Sequence, residues 1–289
     1  MHDGGEGVNR LLACIDASPY ALSVCDHAAW AAARLGASIE LLHVIQRPNR
    51  VAAQRDLGGI AGFDASGELL SELARIDDEQ RRLAEEQGQV LTAAAARRLQ
   101  AGGVENVEIT QRLGGIVETV IEREEGADLV VIGKRGASAD FARGHLGSKV
   151  ERVVRQSVKP VLVASREFRP IRRALIAFDG GPSARKAVAF AATSPLLEGV
   201  ELHIVTAGAD DQRHRDPLRW AREVLADRVK RAEIIGGDPD AAIVADAGQC
   251  GADLILMGAY GHSPLRNLFV GSTTTAVMRG VQLPVLLFR

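Results

Sequence analysis

Aromatic residues and excess charge of either sign are scarce in this sequence. Of its 289 residues, 4% are Phe, Trp or Tyr, which argues against a surface that stacks nucleic-acid bases on aromatic rings. The formal net charge is −2, so the basic character that favours binding to phosphate backbones is missing. We therefore expect no nucleic-acid partner.

Cysteines and long apolar runs are also lacking. The three cysteines, Cys14, Cys25 and Cys250, form no CxxC pair, and their odd number does not suit a secreted disulfide framework. Residues 1–7 lack the basic and apolar regions of a signal peptide. No apolar run approaches the roughly 18 residues of a membrane-spanning helix. We therefore expect a cytoplasmic protein with no membrane partner.

What the chain does contain is a repeat. Hydrophobic residues make up 46% of the sequence, and its length exceeds the roughly 100–200 residues of one domain. Four segments recur in the same order with similar apolar patterns. The first pair of segments ends at Asp16 and Asp179. The other three pairs are 39–44 with 200–205, 126–133 with 251–258, and 159–163 with 283–287. This order predicts a tandem duplication with domains at 8–166 and 170–289.

The first copy contains an insertion at about 47–100, between its second and third matched segments. Its first part, up to Gly67, is rich in glycine and predicts a loop. Residues 68–100 have the charged, Ala- and Leu-rich pattern of a helix, and the charged run 77–87 predicts a solvated helix face.

Short, continuous apolar segments alternate with helical patterns in each copy. Such segments suit strands of a parallel sheet that is buried on both faces. Alternating strands and helices form right-handed βαβ units. Each copy is therefore predicted to be an open, parallel, five-stranded α/β sheet with helices on both faces, and its ligands should bind at the carboxyl ends of the strands.

A glycine-rich motif follows the fourth predicted strand of copy two. Gly258 and Gly261 are followed, after nine residues, by Gly271 and Ser272, which open a predicted helix. Glycine allows the backbone to approach a ligand closely, and the free N–H groups of a helix N-terminus attract anions. The motif therefore predicts a phosphate site.

This motif closely resembles the ATP-binding signature of the universal stress protein family, and the matched segments resemble that family over nearly the whole chain. The resemblance implies an adenine nucleotide alpha-hydrolase-like, Rossmann-like fold and an ATP ligand, with or without Mg²⁺. The residues that it implies in copy two are Ala177, Phe178, Asp179 and Ile204 at the adenosine, Met257, Gly258, Tyr260 and Gly261 at the ribose and phosphate turn, and Gly271, Ser272, Thr273 and Thr274 at the phosphates.

Copy one departs from the signature. Gly133 and Gly136 are followed by ten residues before Gly147, so this spacer is one residue longer than in copy two. The corresponding site residues of copy one are Asp16, Val44, Gly133, Arg135, Gly136, Gly147 and Ser148. The altered spacing favours copy two as the ATP site.

Two pairs of polar residues near predicted strand ends have simpler explanations. Asp16 and Asp179 suit either the cap of the following helix or a contact with ribose. His43 and His203 fall at matched positions of the second strands, and no further ligand at metal spacing accompanies either one. We therefore expect structural hydrogen bonds at both histidines and no metal site.

The last strands, 160–164 and 284–288, are apolar edges that need a partner or a cover. In the family that the chain resembles, such edges pair antiparallel between protomers. We therefore expect an intramolecular pseudo-dimer through these two strands. A homodimer of whole chains stays open.

Together these features predict a cytoplasmic, nucleotide-binding stress-response protein that acts as a binding or regulatory module, with domain 2 as the better ATP site. No catalytic residue is assigned. Because no acidic base stands at a telling spacing around the copy-two motif, at most weak ATP hydrolysis is expected. Two alternatives stay open: a slow ATPase, and a scaffold that binds a different anion or a lipid in domain 1.

Overall fold

The computed structural model describes residues 9–46, 65–136, 147–259 and 271–289. Strands and helices alternate in both copies. Copy one contains β1 (Arg10–Ile15), α1 (Ala21–Leu35), β2 (Ser38–Ile45), α2 (Ala65–Ala101), β3 (Val107–Leu113), α3 (Ile116–Arg123), β4 (Leu129–Gly133), α4 (Ser148–Gln156) and β5 (Val161–Ala164). Copy two contains β6 (Arg173–Ala177), α5 (Pro182–Thr193), β7 (Glu201–Ala207), α6 (Gln212–Leu225), β8 (Val229–Ile235), α7 (Pro239–Gln249), β9 (Leu254–Gly258), α8 (Ser272–Gly280) and β10 (Val285–Phe288).

The strands join in one 10-stranded sheet of order β3-β2-β1-β4-β5-β10-β9-β6-β7-β8. Neighbours within each copy pair in parallel, which confirms the predicted parallel five-stranded sheets. The copies meet where β5 pairs antiparallel with β10, with Leu162 opposite Leu286. In each copy the first and fourth strands are neighbours, so the order of strands reverses there and opens a crevice at their carboxyl ends.

Helices cover both faces of the sheet. Alternate residues of each strand face opposite sides. Leu11 belongs to the buried core on the face covered by α1, α2, α5 and α6, whereas Leu12 belongs to the core on the face covered by α3, α4, α7 and α8. The three cysteines are buried and form no disulfide. None of the helices described in the structure has the length and apolar character that a membrane crossing requires.

The strand register corrects one predicted match between the copies. Leu12 and Leu175 stand at equivalent positions beside β4 and β9. On their other side, Leu12 lies opposite Glu40, whereas Leu175 lies opposite His203. His203 therefore corresponds to Glu40, and the predicted match of His203 with His43 is wrong. Buried strands of similar apolar content can be slid past one another in a sequence comparison, whereas hydrogen-bonded pairing determines the register.

The histidines nevertheless form the structural hydrogen bonds that were predicted. His43 Nδ1 lies 3.0 Å from the carbonyl oxygen of Ile15, to which it donates because a carbonyl can only accept. His203 Nε2 lies 2.7 Å from the carboxylate of Glu201. Within the described ranges, no group of three or more acidic, histidine or cysteine residues is arranged to hold a metal ion.

The predicted helix of the insertion is one continuous element of 37 residues, α2. Its C-terminal part packs on α1, where Leu99 is buried and Arg98 forms a 2.7 Å ion pair with Asp26. Residues 77–87 are mostly exposed, which confirms the predicted solvated face. They lie at the carboxyl ends of β2 and β3, near Ile45 and Leu113. The insertion therefore adds a wall above the crevice of copy one.

A substitution can test the pairing of β5 with β10, which forms the seam between the two copies. Leu286 is fully buried there, between Leu162 and Leu256. We expect Leu286→Ala to lower the free energy of unfolding by about 2–5 kcal/mol, because it leaves a cavity in a packed core. Urea denaturation monitored by circular dichroism measures this loss. Leu22→Ala is the matched control, since Leu22 is 60% exposed, and should change stability by less than about 0.5 kcal/mol. Equal effects of the two substitutions would contradict the assignment of the seam as core.

Candidate functional site

A cavity of about 420 Å³ opens at the carboxyl edge of the copy-one sheet. Small-molecule sites span roughly 300–1,000 Å³, so this space suits a ligand of nucleotide size. Its walls are the β1–α1 loop, the end of β2, the loop after β4, the start of α4 and the middle of α2. The cavity therefore lies where the strand order reverses.

The seven predicted site residues of copy one all line this cavity. They are Asp16, Val44, Gly133, Arg135, Gly136, Gly147 and Ser148. They come from four separate segments of the chain, and the parallel order of β2, β1 and β4 brings those segments to one edge. The structure thus brings the copy-one residues together around one space.

One end of the cavity is suited to an anion. Helix α4 begins at Ser148, and its first N–H groups have no acceptor within the helix. The helix dipole adds partial positive charge at this end. Lys149 adds a full charge, and its Nζ donates to Gln46 Oε1 at 2.6 Å. Phosphate oxygens would meet both N–H donors and a cation here.

Two glycines, at the end of β4 and in the loop after it, permit close packing. A Cβ on Gly133 would lie 2.7 Å from the Cβ of Tyr20, and a Cβ on Gly136 would lie 2.9 Å from Asp16 Oδ2. Gly147 differs, because the nearest atom to an added Cβ would be Val150 Cγ2 at 3.5 Å, an ordinary contact. Gly147 can therefore be substituted without disturbing its neighbours.

Helix α2 covers the other end of the cavity, through Ala84, Gln87, Gly88 and Leu91. The helix lies so close to β2 that a Cβ on Gly88 would be 2.9 Å from His43 Cδ2. The sequence predicted the helix but not its place in the wall. The available signal was Gly88 itself, an isolated glycine inside a helical pattern, where glycine is less stable than alanine.

Asp16 and Asp179 occupy the same kind of turn in the two copies. Asp16 Oδ1 accepts a hydrogen bond from the backbone N–H of Ser18 at 3.1 Å, and Asp179 Oδ1 accepts one from Gly181 at 2.9 Å. Neither following helix has a side-chain cap. The carboxylates therefore close turns after their strands rather than cap helices, and they stay at the carboxyl edge.

The predicted phosphate residues of copy two lie where β9 ends and α8 begins. Met257 and Gly258 end β9, and Ser272 opens α8 after Gly271. The hydroxyl of Thr274 donates to the carbonyl oxygen of Gly258 at 3.0 Å, which ties the helix to the strand. Thr273 lies in the first turn of the same helix. Tyr260 and Gly261 lie outside the described residues.

Among the predicted adenosine residues of copy two, Phe178 and Ile204 are buried. Ala177 ends β6, and the buried ring of Phe178 stacks on Trp220 of α6, with ring centres 6.0 Å apart. Ile204 is fully buried within β7, opposite Ile176 and before the end of its strand at Ala207. The structure therefore does not bring Ile204 to the carboxyl edge.

Helix α6 of copy two also packs directly on the β6–α5 loop. A Cβ on Gly180 would lie 2.8 Å from the Cβ of Pro217 in α6. The backbone of Gly180 has a φ of 77°, which favours glycine. The corresponding loop of copy one lines the open cavity instead.

The sequence did not assign a role to Lys134, which links the two copies. Lys134 is buried, and its Nζ donates to the carbonyl oxygen of Val281 at 2.6 Å. Burial lowers the pKa of Lys134 to about 8, and the positive charge of Arg135 adds to the effect. The loop that lines the copy-one cavity is therefore anchored to the end of α8.

Comparisons with known proteins identify the relatives of this chain. The family described as universal stress protein matches residues 7–165 and 170–289. A universal stress protein from Synechocystis sp. is 36% identical over 290 residues, covering 98% of this chain and 100% of its own length.

Solved structures share the fold over both copies. A universal stress protein from Archaeoglobus fulgidus is similar with a TM-score of 0.71 and 24% identity, covering 97% of this chain and 96% of its own. A protein from Pseudomonas aeruginosa, described as a putative universal stress protein, has a TM-score of 0.63 and 17% identity, with coverage of 97% and 93%.

The tight contact at Gly133 yields a prediction about stability. We expect Gly133→Ala to lower the free energy of unfolding by about 1–3 kcal/mol, because the new methyl group would overlap Tyr20. Thermal and urea denaturation measure the change. Gly126→Ala is the matched control, since no atom lies within 4 Å of a Cβ there. If both variants were equally stable, the close approach of Gly133, at the end of β4, to Tyr20 would be refuted.

Lys134 yields a prediction about pH. Its pKa in the folded protein, about 8, lies below the ordinary 10.5, so between these values the unfolded chain binds more protons at this site. The contribution of Lys134 to stability should therefore rise as the pH increases from 8 to 10.5. We expect the stability of Lys134→Met relative to wild type to be highest below pH 8 and to decline towards pH 10.5.

Urea denaturation across this pH range measures the difference. Lys186→Met, at an exposed position, controls for the loss of one positive charge. A constant difference between Lys134→Met and wild type from pH 7 to 10.5 would contradict the effect of burial on Lys134.

Proposed function

The chain belongs to the universal stress protein family, with one family domain in each copy, and on that premise we propose that it is a stress-response protein that binds an adenine nucleotide. The observation that carries the proposal is the cavity of copy one, which is lined by the seven predicted site residues of that copy. The protein then acts as a binding module whose partners respond to the bound nucleotide.

The chemistry of the cavity supports a nucleotide with an adenosine end and a phosphate end. Ile15 and Val44 supply apolar surface near Asp16, whose carboxylate suits the hydroxyl groups of a ribose. At the other end, the start of α4, Arg135 and Lys149 suit phosphate oxygens. ATP is the nucleotide we propose, with Mg²⁺ bound through its phosphates.

Sequence and geometry rank the two copies differently. The glycine spacing of copy two matches the family signature more closely, whereas the cavity that the described residues form lies in copy one. In copy two, Pro217 packs on Gly180 and Trp220 stacks on Phe178, so α6 lies directly beside the end of the first strand. We therefore assign an adenine nucleotide to copy one first. Copy two is a second site, whose phosphate part rests on Gly271 and Ser272.

Calorimetry with ATP tests this assignment. Gly147→Ala adds a methyl group at the start of α4 without a steric conflict, so the variant should fold normally. It should weaken ATP binding at copy one by at least tenfold, because the methyl group obstructs the approach of a phosphate to the helix N-terminus. Gly271→Ala is the matched variant of copy two and should leave that binding event unchanged.

Two results would overturn parts of the proposal. If Gly271→Ala removes ATP binding and Gly147→Ala does not, the nucleotide belongs to copy two. If wild-type protein binds neither ATP nor AMP, the nucleotide proposal fails, and a different anion or a lipid becomes the ligand to seek. Phosphate release measured on the same samples separates binding from slow hydrolysis, since turnover that both glycine variants leave unchanged would come from a contaminant.

A further inference from the structure

A second cavity, of about 700 Å³, lies at the junction of the two copies. We call it the junction cavity. Its walls are the loop after β4, the linker at 165–169, and the segment from the end of α8 to β10. Tyr20 and Arg135 line both this cavity and the copy-one cavity, so the two spaces adjoin.

Positive charge dominates the lining of the junction cavity. The cationic side chains are Lys134, Arg135, Arg166, Arg169 and Arg279, and the carboxylates are Glu167 and Asp253. Asp253 Oδ2 already accepts hydrogen bonds from the backbone N–H groups of Arg172 and Arg173, each at 2.9 Å. Arg279 pairs with Glu151 outside the lining, at 3.3 Å. More cations than available carboxylates therefore face this space.

Two of these cations are poorly compensated. The ammonium group of Lys134 donates to the neutral carbonyl of Val281, and no described carboxylate forms an ion pair with it. Arg135 Nε is buried and has no hydrogen-bond partner among the residues that the structure describes. Removing adjacent cations from water costs free energy unless an anion is bound beside them. The lowered pKa of Lys134 has the same cause.

We propose that the junction cavity binds a small polyanion with adjacent phosphate groups, as a ligand separate from the nucleotide of copy one. Guanidinium groups bind phosphate oxygens in a bidentate manner, and several of them around one space suit an oligophosphate better than a single carboxylate. Inorganic oligophosphate and the phosphate tail of a nucleotide share this chemistry. The proposal does not depend on nucleotide binding in copy one.

Such a ligand would hold the two copies together at their ligand loops. Lys134 and Arg135 stand between Gly133 and Gly136, which line the copy-one cavity. Arg279 lies in α8, the helix that begins at the phosphate motif of copy two. An anion in the junction cavity would therefore contact elements of both candidate sites.

Tripolyphosphate is the probe for this site, with binding measured by calorimetry at low ionic strength. Arg166 and Arg169 are exposed linker residues that line the junction cavity and not the copy-one cavity. We expect the double variant Arg166→Gln/Arg169→Gln to bind tripolyphosphate at least tenfold more weakly than wild type. Arg81→Gln/Arg82→Gln removes the same charge from the exposed face of α2 and should change the affinity less than twofold.

Gly147→Ala separates this proposal from nucleotide binding in copy one. The variant should keep tripolyphosphate binding. If ATP competes with tripolyphosphate for binding to this variant, the phosphate tail of a nucleotide is one source of the ligand. No binding by wild type would overturn the proposal. Equal weakening in the two arginine double variants would show a non-specific charge effect and would also overturn it. Loss in Gly147→Ala with retention in Arg166→Gln/Arg169→Gln would move the anion to the copy-one cavity and refute the junction site.

Discussion

The antiparallel pairing of β5 with β10 is the interaction on which the rest of the structure depends. It covers two apolar edges that would otherwise be open to other chains, and it joins two parallel sheets into one. It also sets α4 beside α8, where Glu151 meets Arg279, and it lets Lys134 reach Val281. The junction cavity has walls from both copies because this seam holds them together.

The two copies use one fold with different covers over the crevice. In copy one, α2 packs on β2 at Gly88 and covers one end of the cavity at the carboxyl edge. In copy two, α6 lies on the loop after β6, with Pro217 against Gly180. The helix after the second strand therefore contacts the crevice differently in the two copies.

Much of the fold was predictable because it follows from local patterns. Apolar segments predicted the strands, and Gly271-Ser272 predicted the start of α8. Equivalence between copies was harder, since His203 corresponds to Glu40 and Ile204 lies inside its strand. Buried parallel strands are apolar on both faces, so their sequences lack the alternation that would determine the register. The wrong match of His203 with His43 and the predicted placement of Ile204 at the site both follow from this missing alternation.

By itself, the sequence determined the duplication and the alternation of strands and helices, and its family resemblance implied seven residues that line the copy-one cavity. The duplication and the alternation follow from local patterns, and the carboxyl edge as the ligand side follows from the rule for parallel sheets. The tertiary structure alone decided that α2 forms a wall of the copy-one cavity and that the side chain of Lys134 reaches Val281. Lys134 and Val281 are 147 positions apart, and no local pattern encodes such a contact. It arises because the seam of the sheet brings the two copies to a shared junction.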